Sequence, residues 1–222
     1  MHDGHVKITR MGHAALLIEA AETRILIDPG VLSVDAAFDL EDLDAIVVTH
    51  QHPDHLDRER VSRLLERNPS AALLCDPETA ELVENGDWTP HTHDDETMVG
   101  GLTLLGVGAQ HAEIVPALPR VANTGVLVGA DGEPTLFHPG DSYELAPGGV
   151  DVLALPLSAP WTKVAETVEF VHRVSPRTLF PIHDAGISEQ AYGIYWQTSH
   201  SRWQADRDDL RLVFDSFRPA KD

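Results

Sequence analysis

The stretch with the densest chemistry is Thr49-His50-Gln51-His52-Pro53-Asp54-His55. His50 and His52 are two residues apart, so in extended backbone they point to the same side and can chelate one cation. Asp54 and His55 follow with a second pair of donors. The chain has 13 histidines, but three of them with an aspartate in six residues, directly after an apolar strand, form a specific pattern. Further along, His111, Asp141 and His183 each stand at or just past the end of an expected strand. Such sequence-remote donors meet when several strand termini share one edge of a sheet.

The elements that must position these donors follow from periodicity and turn signals. Val6–Arg10, Ala14–Ala20 and Thr23–Ile27 read as a meander with a tight Ala21-Glu22 connection, ending at the turn Asp28-Pro29-Gly30. Leu43–Thr49 has the β-branched core of a buried strand. A helix is expected next, capped by Asp57, with Val61, Leu64 and Leu65 at helical spacing up to Asn68-Pro69. Ala72–Cys75 reads as a short strand, and Pro77–Asn85 as a second helix stopped by Gly86. Leu102–Leu105, a hairpin of Thr124–Val128 and Thr135–Phe137, Val152–Leu155 and Thr178–Phe180 supply further strands. Thr162–Val174 is an expected amphipathic helix with Val164, Val168 and Val171 on one face. Gln190–Trp203 fits helix or loop, and Leu210–Phe214 a last strand. No linker, low-complexity segment or short repeat divides the chain. Residues 1–222 are therefore expected to form a single domain, two packed sheets with helices outside.

The bulk composition narrows the function classes. A chain of 222 residues with 42% hydrophobic residues can bury a substantial core. No run approaches the roughly 18 apolar residues of a membrane span, and the polar start lacks a signal-peptide core, so a cytoplasmic location and no membrane partner are expected. The single cysteine, Cys75, excludes an internal disulfide and reads as a buried structural thiol. The formal net charge of −20 repels nucleic acid and favours a small-molecule substrate. Homo-oligomerisation stays open.

The series His-x-His-x-Asp-His, a lone His, an Asp after Gly and a final His resembles the metallo-β-lactamase superfamily. Nearly the whole chain takes part: Asp28 in Ile-Leu-Ile-Asp-Pro-Gly, Thr49–Asp57, His111, Gly140-Asp141-Ser142 and Pro181-Ile182-His183 fall in the expected order. Gly12-His13-Ala14 is similar to the branch holding the ascorbate-6-phosphate lactonases, and N-acyl phosphatidylethanolamine phospholipase D is similar in this segment too. The resemblance implies an α/β, four-layer αββα sandwich. It also implies a binuclear centre, with one metal on His50, His52 and His111, a second on Asp54, His55 and His183, and Asp141 bridging. Flavodiiron-type members usually carry Glu at the second position of the motif, so His52 favours hydrolysis over oxygen or nitric oxide reduction. Five imidazoles and two carboxylates suit zinc, with Mn2+ or Fe2+ as alternatives because no thiolate selects against them. Two divalent ions outweigh Asp54, Asp141 and a bridging hydroxide by about one positive charge, which suits an anionic substrate or a polarised carbonyl. The expected reaction is hydrolysis of a small, anionic ester, lactone or phosphodiester, with Asp54 and His13 as candidate catalytic residues.

Several residues keep two readings. His13 is a substrate contact or proton donor beside the metals, or a histidine packed at a strand start. Asp28 orders the metal loop, or is a simple turn aspartate. Ser158-Ala159-Pro160-Trp161 lines the pocket or is a plain loop. His91-Thr92-His93 has chelating spacing but sits in a polar loop, so it is expected to be solvated. His138, His172 and His200 have no motif role, and His2 and His5 sit in an end expected to fray. Two rival functions remain: a ribonuclease-Z-like nuclease, against which the acidic charge counts, and a non-catalytic metal-binding protein, which the complete donor set disfavours.

Overall fold

The computed structural model describes residues 6–200 and the backbone of Leu212–Ser216. His2 and His5 lie outside the described residues.

Two mixed sheets organise the chain. The first has β1 (Val6–Arg10), β2 (Leu16–Ala20), β3 (Thr23–Ile27), β4 (Ala45–Val48), β5 (Ala72–Cys75), the two-residue β6 (Thr89–Pro90) and, added beside β1, the terminal strand Leu212–Ser216. The second has β7 (Glu96–Val99), β8 (Leu102–Val107), β9 (Gly125–Gly129), β10 (Leu136–His138), β11 (Val152–Pro156) and β12 (Thr178–Ile182), in the order β12-β11-β10-β9-β8-β7. The meander pairs antiparallel across Ala21-Glu22, whose φ angles of 46° and 59° make the reversal. From β3 to β6 pairing is parallel, as it is from β10 to β12.

Period-two burial creates four layers. Ile25 and Ile27 of β3 and Val47 of β4 meet Leu104, Val126, Val152 and Ile182 of the other sheet in one apolar core between the sheets. The alternate residues Leu26, Ile46 and Val48 face outward, against Phe38 of a short 3-10 helix and against Val61 and Leu64 of α1 (Val61–Arg67). On the far side Phe137, Leu153 and Leu155 pack under Phe170, Val171 and Val174 of α3 (Val164–Val174). Helices thus cover both outer sheet faces, giving the αββα sandwich.

The elements deviate from sequence expectation at identifiable points. Asp57 caps a turn, accepting the N–H groups of Glu59 and Arg60, and α1 begins only at Val61. Asn68 ends that helix and joins it to the chain before β4, donating to Leu40 O and accepting from Leu43 N. The helix α2 (Pro77–Leu82) stops short of Gly86 and is capped by Asp76, which accepts from Glu78 and Thr79. The apolar stripe of α3 is Thr167, Phe170, Val171 and Val174, so the expected Val164 and Val168 sit at its margin. Both β6 and β7 are too short or too polar to show alternation. The Gln190–Trp203 segment is helical as α4 (Glu189–His200), and its remainder lies outside the described residues.

Candidate metal centre

The donors converge because many co-directed strands end on the same edge. Arg10 of β1 leads to His13, Ile27 of β3 to Asp28, and Val48 of β4 to the His50–His55 loop. In the other sheet β8 leads to His111, β10 to Asp141, β11 to Ser158–Trp161, and β12 directly to His183. Each sheet thus supplies part of the set, and the carboxyl ends of parallel strands leave room for a site between them. A backbone bond from Thr124 N to Thr49 O, 2.9 Å, and another from His183 N to His13 O, 3.1 Å, fasten one sheet's loops to the other's. Glu78 adds a third link: its Oε2 accepts from Gln51 Nε2 at 3.1 Å and from Ala122 N at 2.9 Å. His13, Asp28 and His183 have φ of 48°, 51° and 54°, left-handed conformations that cost on the order of 1–3 kcal/mol each unless the surroundings enforce them.

All seven expected donors come together. His50, His52 and His111 place one ligand atom each within 4.8 Å of one another, as do His50, His55 and Asp141, and Asp54, His55, His183 and His13. Asp141 stands between the sets: Oδ1 is 3.1 Å from His55 Nε2, and Oδ2 is 3.4 Å from His111 Nε2 and 3.2 Å from His183 Nε2. Close as they are, His55 Nε2, His111 Nε2, His183 Nε2 and Asp141 Oδ1 are buried without any partner in hydrogen-bond geometry. His50 Nε2 also faces His52 Nδ1 at 3.1 Å. Buried polar atoms are normally satisfied. Donors that aim past one another at a shared centre are what a divalent ion satisfies, so the residues fit such a group.

The outward ring nitrogens sort the histidines by tautomer. A carbonyl can only accept, so His111 Nδ1 donates to Ala112 O at 2.6 Å and His183 Nδ1 to Ser158 O at 2.8 Å. His55 Nδ1 lies 2.6 Å from the Asp28 carboxylate. Thr49 spends its one hydroxyl proton on Asp28, at 2.7 Å, so His50 Nδ1, 3.1 Å away, donates to the Thr49 oxygen. In its neutral form each of these four rings therefore turns an unprotonated Nε2 inward, as a metal ligand must, and the extra proton that the neighbouring carboxylates hold on His55 and His183 sits on that inner nitrogen until an ion displaces it. His13 is the reverse. Its Nδ1 accepts from Ala185 N at 3.3 Å, so a neutral ring carries its proton on Nε2, which points at Asp54 Oδ2 3.4 Å away. Although His13 stands within the second donor group, its tautomer makes it a proton-bearing neighbour of that group.

Electrostatics follow the same division. Burial, reinforced by His55, pushes the His50 pKa well below its usual value, and burial with His111 lowers that of His52. Burial opposes ionisation of Asp141, yet His55 and His183 hold its carboxyl well below the usual range. Burial also works against the charged form of His55, but Asp141 and Asp28 override it and raise its pKa. Asp54 is held far below the usual carboxylate range by His13 and His183 against the cost of its burial. Its side chain is 30% exposed and His52 is half-buried, whereas the side chains of His13, His55, His111, Asp141 and His183 are at most 6% exposed, so the cluster opens to solvent along the Asp54 and His52 side.

The surroundings contain residues to which the sequence gives two readings, Asp28 and Trp161, and others to which it gives no role, His138 and Asn123. Asp28, left as a site or turn residue, is fully buried and accepts from Thr49 N and Oγ1. His138, given no role, lies behind it: one ring nitrogen bonds Ala14 O at 2.9 Å, and the other accepts from Gly140 N at 3.1 Å. Asn123 Oδ1 accepts from Asp141 N at 2.9 Å. Trp161, in the loop left open, donates from Nε1 to Asp141 Oδ2 at 2.7 Å, and a groove of about 560 Å³ lies along its outer side. No short motif marks Asn123, because its role depends on a strand distant in sequence. The expectation for His91 is corrected: packing of its loop under β5 leaves His91 only 3% exposed, while His93 stays exposed. The two rings do not chelate, and neither belongs to a donor group. His172 is exposed, and His200 bonds Trp196 O within α4, so both stand apart from the centre.

Residues 7–183, an interval containing all seven donors, match the beta-lactamase superfamily domain. The chain is 42% identical over 193 residues to Protein Rv0786c of Mycobacterium tuberculosis, covering 86% of this chain and 90% of that protein. It is 30% identical to a UPF0173 metal-dependent hydrolase of Pyrococcus abyssi, covering 80% of this chain and 84% of the relative. Igni18, a metallo hydrolase of Ignicoccus hospitalis, superposes with a TM-score of 0.68 at 20% identity, over 97% of this chain and 96% of that one. Among the described residues no helix is long and apolar enough to cross a membrane.

Proposed function

The chain belongs to the metallo-β-lactamase superfamily and to its UPF0173 metal-dependent hydrolases, and on that premise we propose that it uses two divalent ions, zinc first, to hydrolyse an ester, lactone or phosphodiester in a small molecule. The observation that carries this reading is the set of four imidazoles whose outer nitrogens donate hydrogen bonds to fixed acceptors, so that in the neutral rings the inner nitrogens offer their lone pairs around Asp141. His50, His52 and His111 would hold one ion, Asp54, His55 and His183 the other, and Asp141 both. Ions in such a site act as Lewis acids and bring the ionisation of water down to about pH 7.

The chain's own residues do the rest. Asp28 and Thr49 lock His55 and His50 in the binding tautomer, and the carbonyls of Ala112 and Ser158 lock His111 and His183. Asp54, the most open of the carboxylates, faces the solvent side where a substrate enters. His13 Nε2, 3.4 Å from Asp54 Oδ2, carries a proton beside this opening and would be the group to pass it to a leaving oxygen. A sugar-phosphate lactone, as taken by the ascorbate-6-phosphate lactonases, heads the substrates to try, in a cytoplasmic setting.

The test is a hydrolysis panel on zinc- and manganese-loaded protein, pairing an activated phosphodiester with an activated lactone. Asp141→Asn should cut turnover by at least about 100-fold and lower metal occupancy while the protein stays folded. Turnover of the lactone alone supports the lactonase-like branch, and of the phosphodiester alone a phosphodiesterase. Equal activity and two bound ions in Asp141→Asn would sink the bridging role.

A further inference from the structure

Trp161 makes a polar contact inside the metal pocket that wall-filling alone does not require. Its ring is 8% exposed, and an apolar ring of the same shape would close the wall equally well. Yet its indole N–H reaches Asp141 Oδ2 at 2.7 Å, on the carboxylate shared by both donor sets. The ring stands between His111 and His183, with centroids 6.0 Å and 6.4 Å away. It is also held from behind. The Tyr143 ring meets it edge-on at 4.9 Å and stacks on Phe170 of α3 at 4.5 Å, and Tyr143 Oη donates to Pro156 O at 2.5 Å. With Asn123 accepting from the Asp141 backbone N–H, this aspartate is anchored at both ends.

We propose that Trp161 is a positioning residue that fixes the rotation of the Asp141 carboxylate and so sets the affinity of the site for its second divalent ion. A carboxylate turns readily about its terminal torsion. With the indole proton on Oδ2, Oδ1 is kept toward His55, and Oδ2 keeps its place between His111 and His183. Without that proton the group is free to swing and give both oxygens to one ion, and the other donor set then loses its shared ligand. This inference rests on the two-ion reading above.

The experiment is titration of the metal-free full chain with cobalt(II), followed by visible absorption, and with zinc against a competing chelator. Wild type is compared with Trp161→Phe, and with protein carrying benzothienylalanine at 161, which keeps the fused-ring shape but replaces N–H by sulfur. The isosteric replacement should leave the metal-free melting temperature close to that of wild type, Trp161→Phe should lower it by the cost of the void it leaves, and both should leave the first binding event unchanged. They should weaken the second event by about 10–100-fold and alter the two-ion cobalt spectrum. In an Asp141→Asn background Trp161→Phe should add nothing. Unchanged second-ion affinity and spectrum in both replacements would overturn the positioning role while leaving the two-ion reading intact. A wild type that takes up fewer than two ions would overturn both.

Discussion

At the scale of single residues, the centre is defined by where protons sit. In the metal-free protein, burial disfavours a charged His183, but Asp141 and Asp54 outweigh it and raise its pKa to about 9. An unfolded histidine titrates near about 6.5. The folded value is the higher one, so the stability this proton contributes is complete below about pH 6.5 and is lost as pH rises through about 9. Metal-free protein should therefore melt at progressively lower temperature across that window, and metal-loaded protein should show no such decline there. Thermal melts with and without chelator check this. A flat metal-free profile would mean that His183 is neutral in the fold. Binding an ion near pH 7 must also displace the proton, so the measured binding enthalpy should vary with the ionisation heat of the buffer.

At the scale of elements, strand ends set the precision of the site, and the loops leaving them pass close to each other. A Cβ on Gly30 would lie 1.9 Å from the carbonyl oxygen of Asp54. Gly30→Ala must therefore push the His52–His55 loop outward. The expected outcome is loss of metal from the Asp54–His55–His183 set, read by metal analysis of the purified variant, and unchanged stoichiometry would refute the coupling. Gly140 is bound as tightly, at φ 62° with Asn123 Oδ1 2.3 Å from where its Cβ would be. The convergence of the His and Asp residues and the strands before them were legible because residue type and period two mark strand ends locally, and the resemblance to a family supplied which of those ends belong together. Helix ends were less so. Asp57 reads as a cap from sequence, but its carboxylate serves a turn and an ion pair with Arg60, which delays α1. The face of α3 differs by part of a turn from the expected one: Val171 lies on it as expected, but Thr167, Phe170 and Val174, rather than Val164 and Val168, fill the space over the second sheet. The bond from Trp161 to Asp141 joins two loops twenty residues apart, and no pattern within either loop announces it.

At the scale of the whole molecule, the net charge of −20 surrounds one inward-facing cluster of imidazoles. Long-range repulsion should keep RNA away even at low salt, where phosphate contacts are strongest. No retained single-stranded or structured RNA is expected at about 50 mM salt, where the repulsion still acts over ~14 Å by the square-root scaling of the Debye length. Salt-sensitive binding in a filter or anisotropy assay would reopen the nuclease alternative. The carboxyl-terminal strand Leu212–Ser216 lies parallel to β1, at the end of the first sheet remote from β4, so the metal loop and the chain's last described strand occupy different parts of that sheet.

The division of donors between the two sheets has a consequence for how long the protein lasts. His50, His52, Asp54 and His55 belong to one sheet's loops, and His111, Asp141 and His183 to the other's. An ion held by both is a clasp across the sandwich, and any opening that parts the layers must first release it. Each clasp deepens the folded state by about 2.7 kcal/mol when free ion stands at 100 times its dissociation constant. Where degradation follows transient opening, abundance of this protein would track the supply of its metal, with starved molecules cleared first.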